Sequence, residues 1–500
     1  MQRILKAILA VCHFCILRDI AAQAWNSPNI NIDGIPKGRS QLFSLPIQGP
    51  KCGYGGNFTF IVVRGENAEP NKDGKYEKVM VSFSTGGICA NYETCLAYEM
   101  IYDQDRYTLK ELNAIFGLGL EEGDVLWRGT VHGQEFGKAE VNDCMVQHLG
   151  LVPCSSPEFS DYVALAIPEC TGDLFLGTQT TTYSFQTTYD KYHLNFDHHG
   201  ALAVLLILPA FVAATGTPNN VQDLIVTGAG DGGWGALVWG GPIMEAFEST
   251  SAESSRGKLR TNVLVDSAFK APLDNPSALT KMFSVLDWGV SAVTWRDKIN
   301  IEPGNFVDIL KEELKYYAGR FRVAFISCDQ GEAADIFLNF IFSTGDLPFR
   351  IGSMWNFLGD IHQYDSTLGS TSDGSDSRVF SYIANCRERY LSGHVRDYIK
   401  HPLRGTESAL KIDNWMDTFL TTGFPYKISS DTARVGGPSY NMQYIPKDAV
   451  ALTKLKSDKN ADKYWCCVGD LDEPGTTFDT RSFIIPDSYS AFEHCHRAWA

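Results

Sequence analysis

The chain has 500 residues, of which 44% are apolar and 20% are charged. These values are typical of a soluble globular protein and exclude a disordered or fibrous chain. Lysine and arginine number 43 against 59 aspartates and glutamates, which gives a net charge of −16. Because so acidic a chain repels phosphate groups, we expect neither nucleic acid nor an anionic membrane as a partner.

The N-terminus has the three parts of an export signal. Residues 1–6 are basic, residues 7–17 are apolar, and Ala22-Gln23-Ala24 is a small-x-small cleavage pattern. The sequence therefore predicts a signal peptide over residues 1–24 and a secreted, extracellular protein. No linker is evident after it, so we expect one domain over residues 25–500.

Thirteen cysteines fit an exported chain. Two lie in the signal, and the odd number that remains predicts disulfides with at least one unmatched thiol. Cys89 and Cys95 are close enough to close a small loop, as are Cys144 and Cys154. No paired C-x-x-C motif is present, so we expect no structural zinc. Asn57-Phe58-Thr59 is a glycosylation sequon.

Apolar runs alternate with helical patterns along the chain. The alternation predicts an α/β fold with a mostly parallel central sheet flanked by helices. The predicted strands are Asn57–Arg64, Lys78–Phe83, Tyr162–Pro168, Asp223–Thr227, Asn262–Val265, Arg320–Ser327 and Arg481–Pro486. The predicted helices are Gly200–Val212, Gly235–Ser249, Phe306–Tyr317, Gly331–Phe342 and Glu407–Leu420.

One helix, Ala201–Thr215, is apolar throughout. Its length is short of the roughly 20 residues that a spanning helix needs. Pro209 interrupts the pattern. We therefore interpret this segment as a buried helix that leads into the next strand, and we expect no membrane contact once the signal is removed.

A glycine-rich turn follows the strand at residue 223 and precedes a helix. Gly228-x-Gly230-x-x-Gly233 fits a dinucleotide fingerprint, but the next strand ends at Asp266, far beyond the acidic residue that such a fold needs about 20 positions on. A nucleophile elbow, small-x-nucleophile-x-small, fits the same segment. Its ordinary register places Gly230 at the nucleophile position, and a shift by one residue places Asp231 there. A third interpretation is a tight turn with no chemical role.

Six blocks in order along residues 52–490 together resemble the pectinacetylesterase family, the α/β-hydrolases that include the Notum carboxylesterases, with a closer likeness to its microbial branch. They are Ser84–Cys95 with a glycine pair before a cysteine, Ile167–Gly177 with Cys-Thr-Gly-Asp, the elbow, Leu264–Phe269, Phe325–Gln330 and Phe483–Ser488. The resemblance implies hydrolysis of carboxylic esters by a Ser-His-Asp triad, such as removal of acetyl groups from a glycan.

Two members of that triad find no clear match in this chain. Asp329 matches the aspartate. The serine position falls on Gly230, and His494 is the candidate for a histidine expected nearer residue 490. Loss of the nucleophile alone costs such an enzyme several orders of magnitude in rate.

The resemblance also implies an oxyanion hole. Gly86 and Gly87 match the family's oxyanion glycines, and Asp231 follows the nucleophile position. A backbone N–H of Asp231 would complete the hole, whereas its carboxylate would oppose the negative charge that forms there.

Other groups of polar or aromatic residues predict less. His193 and Asp197 are four residues apart and would share a helix face, so we interpret the block 192–199 as a helix start that lines the pocket, and we expect no metal there. We interpret Trp234, Trp239, Trp288 and Trp295 as core residues.

The sequence thus leads to two hypotheses. The chain is either a carboxylesterase that uses Asp231 or a serine from elsewhere, or a non-catalytic relative that binds a glycan or acyl ligand. In both, we expect a monomer without cofactor whose partner is a small ester or an acylated glycan; a dinucleotide-binding protein is a remote third possibility.

Overall fold

The structure is a computed structural model that contains a central nine-stranded sheet, two two-stranded hairpins and flanking helices. The residues it describes are 28–84, 88–92, 94–95, 159–186, 191–216, 220–251, 259–266, 288–289, 294–295, 299–300, 306–317, 319–328, 357–358, 360–365, 367–368, 378–384, 419 and 442–445.

The central sheet consists of β1 (Arg39–Ser44), β2 (Thr59–Arg64), β3 (Lys78–Phe83), β4 (Val163–Ile167), β7 (Asp223–Ala229), β8 (Arg260–Asp266), β11 (Phe321–Cys328), β12 (Val379–Ala384) and β13 (Met442–Ile445). The hairpins are β5 (Gln179–Gln186) with β6 (Lys191–His198), and β9 (Thr294–Trp295) with β10 (Ile299–Asn300). The helices whose bounds lie within the described residues are a 3-10 turn at Ile32–Gly34, α1 (Gly200–Ala214), α2 (Asp231–Ser249) and α3 (Phe306–Tyr316).

The order of strands in the sheet is β1-β2-β4-β3-β7-β8-β11-β12-β13. From β4 to β13 every neighbouring pair is parallel, and β2 runs antiparallel to both of its neighbours. One reversed strand near the edge of an otherwise parallel sheet, with β3 and β4 exchanged in order, is the arrangement of the α/β-hydrolase fold. The predicted fold class is confirmed.

Parallel strands in such a sheet are covered on both faces, so their residues are apolar without alternation. β4 (VALAI) is buried at every position, and β7 is buried from Leu224 onwards. Helix α2 packs closely on the sheet at Gly240, where an added Cβ would lie 2.9 Å from a methyl of Val263. α1 lies beside α2, because the rings of Phe211 and Phe247 meet edge to face at 6.5 Å.

Helix α1 continues through Pro209 to Ala214 instead of ending at the proline. It has 15 residues, most of them buried. Within the described part of the chain, no helix combines the length and the apolar character that a membrane crossing requires.

Several predicted strands lie within two residues of the observed ones, and the three described predicted helices are also present. The prediction of a helix start over 192–199 is wrong, because Lys191–His198 is strand β6 and α1 begins only at Gly200. The predicted helix 331–342, nearly all of 407–420 and the strand 481–486 lie outside the described residues.

Two disulfides are present among the described residues. The predicted bridge between Cys89 and Cys95 is formed. A second bridge joins Cys52, in the loop between β1 and β2, to Cys170, just after β4, across a separation of 118 residues. Cys144 and Cys154 lie outside the described residues.

Candidate active site

The glycine turn lies at the carboxyl edge of the sheet and connects β7 to α2 through a single residue. β7 ends at Ala229 and α2 begins at Asp231, so Gly230 alone makes the turn. Gly230 has φ 60° and ψ −119°, a conformation in which a side chain is strained. Its N–H donates to the carbonyl of Asp266 at 2.8 Å, and its carbonyl accepts from the N–H of Gly233 at 3.0 Å. This sharp strand-to-helix turn has the geometry expected of a nucleophile elbow.

The space around the turn identifies the two small residues that let it close. A Cβ on Gly228 would lie 1.9 Å from the carbonyl oxygen of Gly232. A Cβ on Gly232 would lie 2.1 Å from the carbonyl oxygen of Phe83. These neighbours are backbone atoms and cannot move aside. The geometry therefore matches the ordinary register, Gly228-x-Gly230-x-Gly232.

Asp231 is the first residue of the 19-residue helix α2. Acidic residues are favoured at that position, because the partial positive charge of a helix N-terminus stabilises them. Its side chain lies outside the described part of the chain. An aspartate here thus has a purely structural explanation beside the chemical one.

Asp266, the last residue of β8, is a fully buried carboxylate beside the elbow. It pairs with Ala229 on one side and with Ile326 on the other, so it lies where the carboxyl ends of β7, β8 and β11 meet. The sequence analysis used this residue to reject a dinucleotide site and included it in the family block Leu264–Phe269, but assigned it no role at the site. Its position at the end of a predicted strand next to the elbow strand was the signal that could have singled it out.

The other predicted site residues fall where the structure gives no description. Asp329 follows directly on Cys328, the last residue of β11, and so continues from a strand that ends at the same edge as Gly230. Asp329 itself, His494, Gly86 and Gly87 lie outside the described residues. The triad and the oxyanion glycines remain predictions.

The described residues on either side of Gly86 and Gly87 bond to the end of β4 and to the loop after it. The N–H of Ser84 donates to the carbonyl of Ile167 at 3.0 Å. The N–H of Cys89 donates to the carbonyl of Gly172 at 2.9 Å, and the indole of Trp288 donates to the carbonyl of Cys89 at 2.9 Å. The Cys89–Cys95 bridge therefore belongs to a tightly bonded wall beside the elbow.

A buried carboxylate organises this wall. Asp173 accepts hydrogen bonds from the hydroxyl of Thr171 at 2.8 Å, from the N–H of Phe175 at 2.9 Å and from the N–H of Gly200 at 2.8 Å. It thereby joins the loop after β4 to the N-terminus of α1. Burial raises the pKa of Asp173 to about 6, against the lowering effect of these hydrogen bonds.

His198 lies next to this cluster, at the base of the β5–β6 hairpin. Its Nδ1 donates to the carbonyl of Thr171 at 2.9 Å, and its Nε2 accepts from the hydroxyl of Tyr183 at 2.9 Å. Burial lowers the pKa of His198 to about 3, so the ring is neutral at physiological pH. The ring of Trp288 packs 5.5 Å from it. His198 thus fixes the hairpin to the wall of the site.

The side chains of His193 and Asp197 lie on the opposite face of the hairpin. Ser184 contacts Nδ1 of His193 at 2.8 Å, and the hydroxyl of Thr180 donates to Asp197. Each is therefore satisfied across the strands. Throughout the described ranges, no three metal-ligating side chains come together.

Of the four tryptophans predicted as core residues, three lie in the core. Trp234, Trp239 and Trp288 are all at most 2% exposed. Trp239 donates through its indole nitrogen to the carbonyl of Phe175 at 2.9 Å. They therefore support the walls around the elbow; the side chain of Trp295 lies outside the described residues.

Comparison with known proteins adds a likeness to solved structures. No protein-family model matches the sequence, and no curated protein matches it. Among solved structures, the chain is similar to the Wnt deacylase Notum from Drosophila, with a TM-score of 0.43 and 15% sequence identity over 81% of this chain and 96% of that chain. The strand order and the turn at Gly230 are the features that place this chain in the hydrolase fold.

Proposed function

We propose that this chain is an exported α/β-hydrolase-fold relative of carboxylic ester hydrolases of pectinacetylesterase type that binds an acylated glycan or small ester without cleaving it. The observation that carries the proposal is the geometry of Gly230. The strained turn at Gly230 and the lack of space for a Cβ at Gly228 and Gly232 support its assignment to the nucleophile position of an elbow. A glycine at that position offers no atom that can attack an ester carbonyl.

The surroundings of the elbow support binding without acyl transfer. The wall formed by Cys89, Trp288 and the loop around Asp173 is hydrogen-bonded and disulfide-linked. A preformed wall of this kind is what a ligand site needs, since little order has to be created when the ligand binds. The two disulfides also support export, because such bridges persist in oxidising compartments.

Hydrolysis through Asp231 is the competing hypothesis. A carboxylate can form an ester intermediate with an acyl group. In the observed register, however, Asp231 follows the strained turn residue and begins α2. The N–H of that residue, and not its side chain, is the group that an elbow directs at the substrate oxygen.

The test compares the hydrolysis of p-nitrophenyl acetate by the wild-type chain, Asp231→Asn, Gly230→Ser and Gly230→Ala. We expect no wild-type turnover above buffer. We expect Gly230→Ser to become acetylated on the new serine, seen as the mass of one acetyl group on that peptide. Gly230→Ala, which adds a Cβ without a hydroxyl, is the matched control and should stay unmodified.

Two results would overturn the proposal. Robust wild-type turnover that Asp231→Asn abolishes would assign an aspartate nucleophile. Robust turnover that Asp231→Asn leaves intact would place a nucleophile elsewhere in the chain. Binding is measured separately, as a rise in the melting temperature of the wild-type chain with acetylated pectin oligosaccharides. The absence of a rise would contradict the proposal that the chain binds an acylated glycan.

A further inference from the structure

The sequon Asn57-Phe58-Thr59 combines an exposed acceptor with a buried hydroxyl. Asn57 is exposed and forms an isolated bridge with Lys51, whose ammonium donates to the side-chain oxygen of Asn57 at 2.9 Å. The nitrogen that would carry a glycan is the other atom of this amide. Asn57 therefore has room for a glycan in the folded protein.

Thr59 has the opposite environment. It is the first residue of β2, pairs with Ser44 of β1, and is 1% exposed. Its hydroxyl has no hydrogen-bond partner among the described residues. Because an unpaired buried hydroxyl lowers stability, the fold would favour valine at this position.

We propose that Asn57 is N-glycosylated, that the transfer takes place before β2 enters the sheet, and that the Thr59 hydroxyl serves this transfer and not the fold. A transferase has to reach the hydroxyl two residues after the asparagine. In the folded chain that hydroxyl is enclosed in the sheet. The unfolded chain is therefore the substrate.

The chemistry requires a lipid-pyrophosphate-linked oligosaccharide as the second substrate. The side-chain nitrogen of Asn57 forms a bond to the anomeric carbon of the sugar. The bond from that carbon to the pyrophosphate oxygen breaks, and the lipid pyrophosphate leaves with the electron pair. The amide nitrogen loses one proton to a base of the transferase.

The fold leaves time for this step. In the finished sheet β2 pairs with β4 through Ile61–Arg64, β4 ends at Ile167, and the nearby Cys52 is bonded to Cys170. About 100 residues separate β2 from the end of β4, which takes roughly 5–20 s of synthesis at 5–20 residues per second. The proposal places the transfer to Asn57 in that interval, before β2 joins β4.

The first experiment expresses the full chain in a eukaryotic secretory host and measures the glycan on the Asn57 peptide by mass spectrometry. We expect occupancy in the wild-type chain and none in Thr59→Val. The matched control is Thr261→Val, another buried threonine whose hydroxyl lacks a partner among the described residues. It should keep the glycan. After enzymatic removal of glycans, both variants should melt above the wild-type chain.

The second experiment offers the purified, unglycosylated chain to an oligosaccharyltransferase with its lipid-linked oligosaccharide. The reduced, unfolded chain should accept at least tenfold more glycan than the folded chain. Equal acceptance would overturn the proposed order of events. An unmodified wild-type chain in the secretory host would overturn the site, and a lower melting temperature of Thr59→Val would show that the hydroxyl serves the fold.

Discussion

The elbow and the β5–β6 hairpin stand side by side at the site but are specified in different ways. The glycines that shape the elbow lie within five residues of one another, although the space around Gly232 is limited by the backbone of Phe83 in β3. The hairpin is held by residues from distant parts of the chain. The N–H of Asp197 donates to the carbonyl of Gly53 at 2.7 Å, and the N–H of Thr178 donates to the carbonyl of Trp288 at 2.8 Å.

The turn therefore depends on its glycines, whereas the wall and its hairpin depend on hydrogen bonds between distant parts of the chain. The turn keeps its shape as long as its glycines remain, with or without a nucleophile. The wall depends on contacts that form only when the whole domain has folded. Changes at the two regions should therefore differ in size and in kind.

The largest expected effect is at the elbow. In Gly228→Ala the new methyl would overlap the carbonyl of Gly232, which lies 1.9 Å from the Cβ position. Because that neighbour is backbone, we expect no cooperatively folded protein by circular dichroism and thermal unfolding. Gly319→Ala is the control. Its φ is 81° but nothing lies within 4 Å, so it should fold and lose about 1–2 kcal/mol of stability.

A Gly228→Ala chain that melts like the control would contradict this account. It would show that the strand and the helix at the elbow can separate at little cost. The register deduced from the two glycines would then lose its support.

The next largest effect is the loss of stability when either disulfide is removed. The Cys52–Cys170 bridge spans 118 residues and the Cys89–Cys95 bridge spans 6. The chain-entropy model gives about 5 kcal/mol for the long loop and about 2.4 kcal/mol for the short one. Urea unfolding of the two double cysteine-to-alanine variants measures the difference. Equal losses would indicate that the bridges act on the folded state and not on the unfolded chain.

The smallest effect concerns Asp173 in the wall. Its pKa is about 6 in the folded chain, against the ordinary aspartate value of 3.8. The folded state therefore favours the neutral form, and the stability from this group is fully present below pH 4 and lost as the pH rises through 6. Two pKa units correspond to about 3 kcal/mol.

Asp173→Asn removes this titration. Urea unfolding at pH 4, 5, 6 and 7 should show the wild-type chain losing about 2 kcal/mol more than the variant across the series. Parallel curves for the two proteins would mean that the hydrogen bonds from Thr171, Phe175 and Gly200 compensate fully for burial. The Asp173 carboxylate would then be ionised throughout that range.

Much of the fold was accessible from the sequence, because buried parallel strands are apolar on both faces. The elbow was also accessible from the sequence, because its glycines lie between a predicted strand and a predicted helix. Its register was not, since glycine spacing alone permits both Gly230 and Asp231 at the key position. Only the space around each glycine in the structure distinguishes the register with Gly230 at that position from the register with Asp231 there.

The hairpin was missed for a physical reason. Residues four apart, such as His193 and Asp197, share a face in a helix and also in a strand, because four is an even number. The spacing therefore could not distinguish the two structures. The Cys52–Cys170 bridge was missed because spacing along the chain carries no information on how β2 and β4 meet.

That long bridge has a consequence for the integrity of the molecule. A peptide bond cut anywhere between residues 53 and 169 leaves two pieces that are still covalently joined through Cys52 and Cys170. A protease that nicks the chain in this stretch yields a single band on a gel without reductant and two bands with it. In an extracellular setting, a single cut between Cys52 and Cys170 would thus leave the two pieces covalently joined.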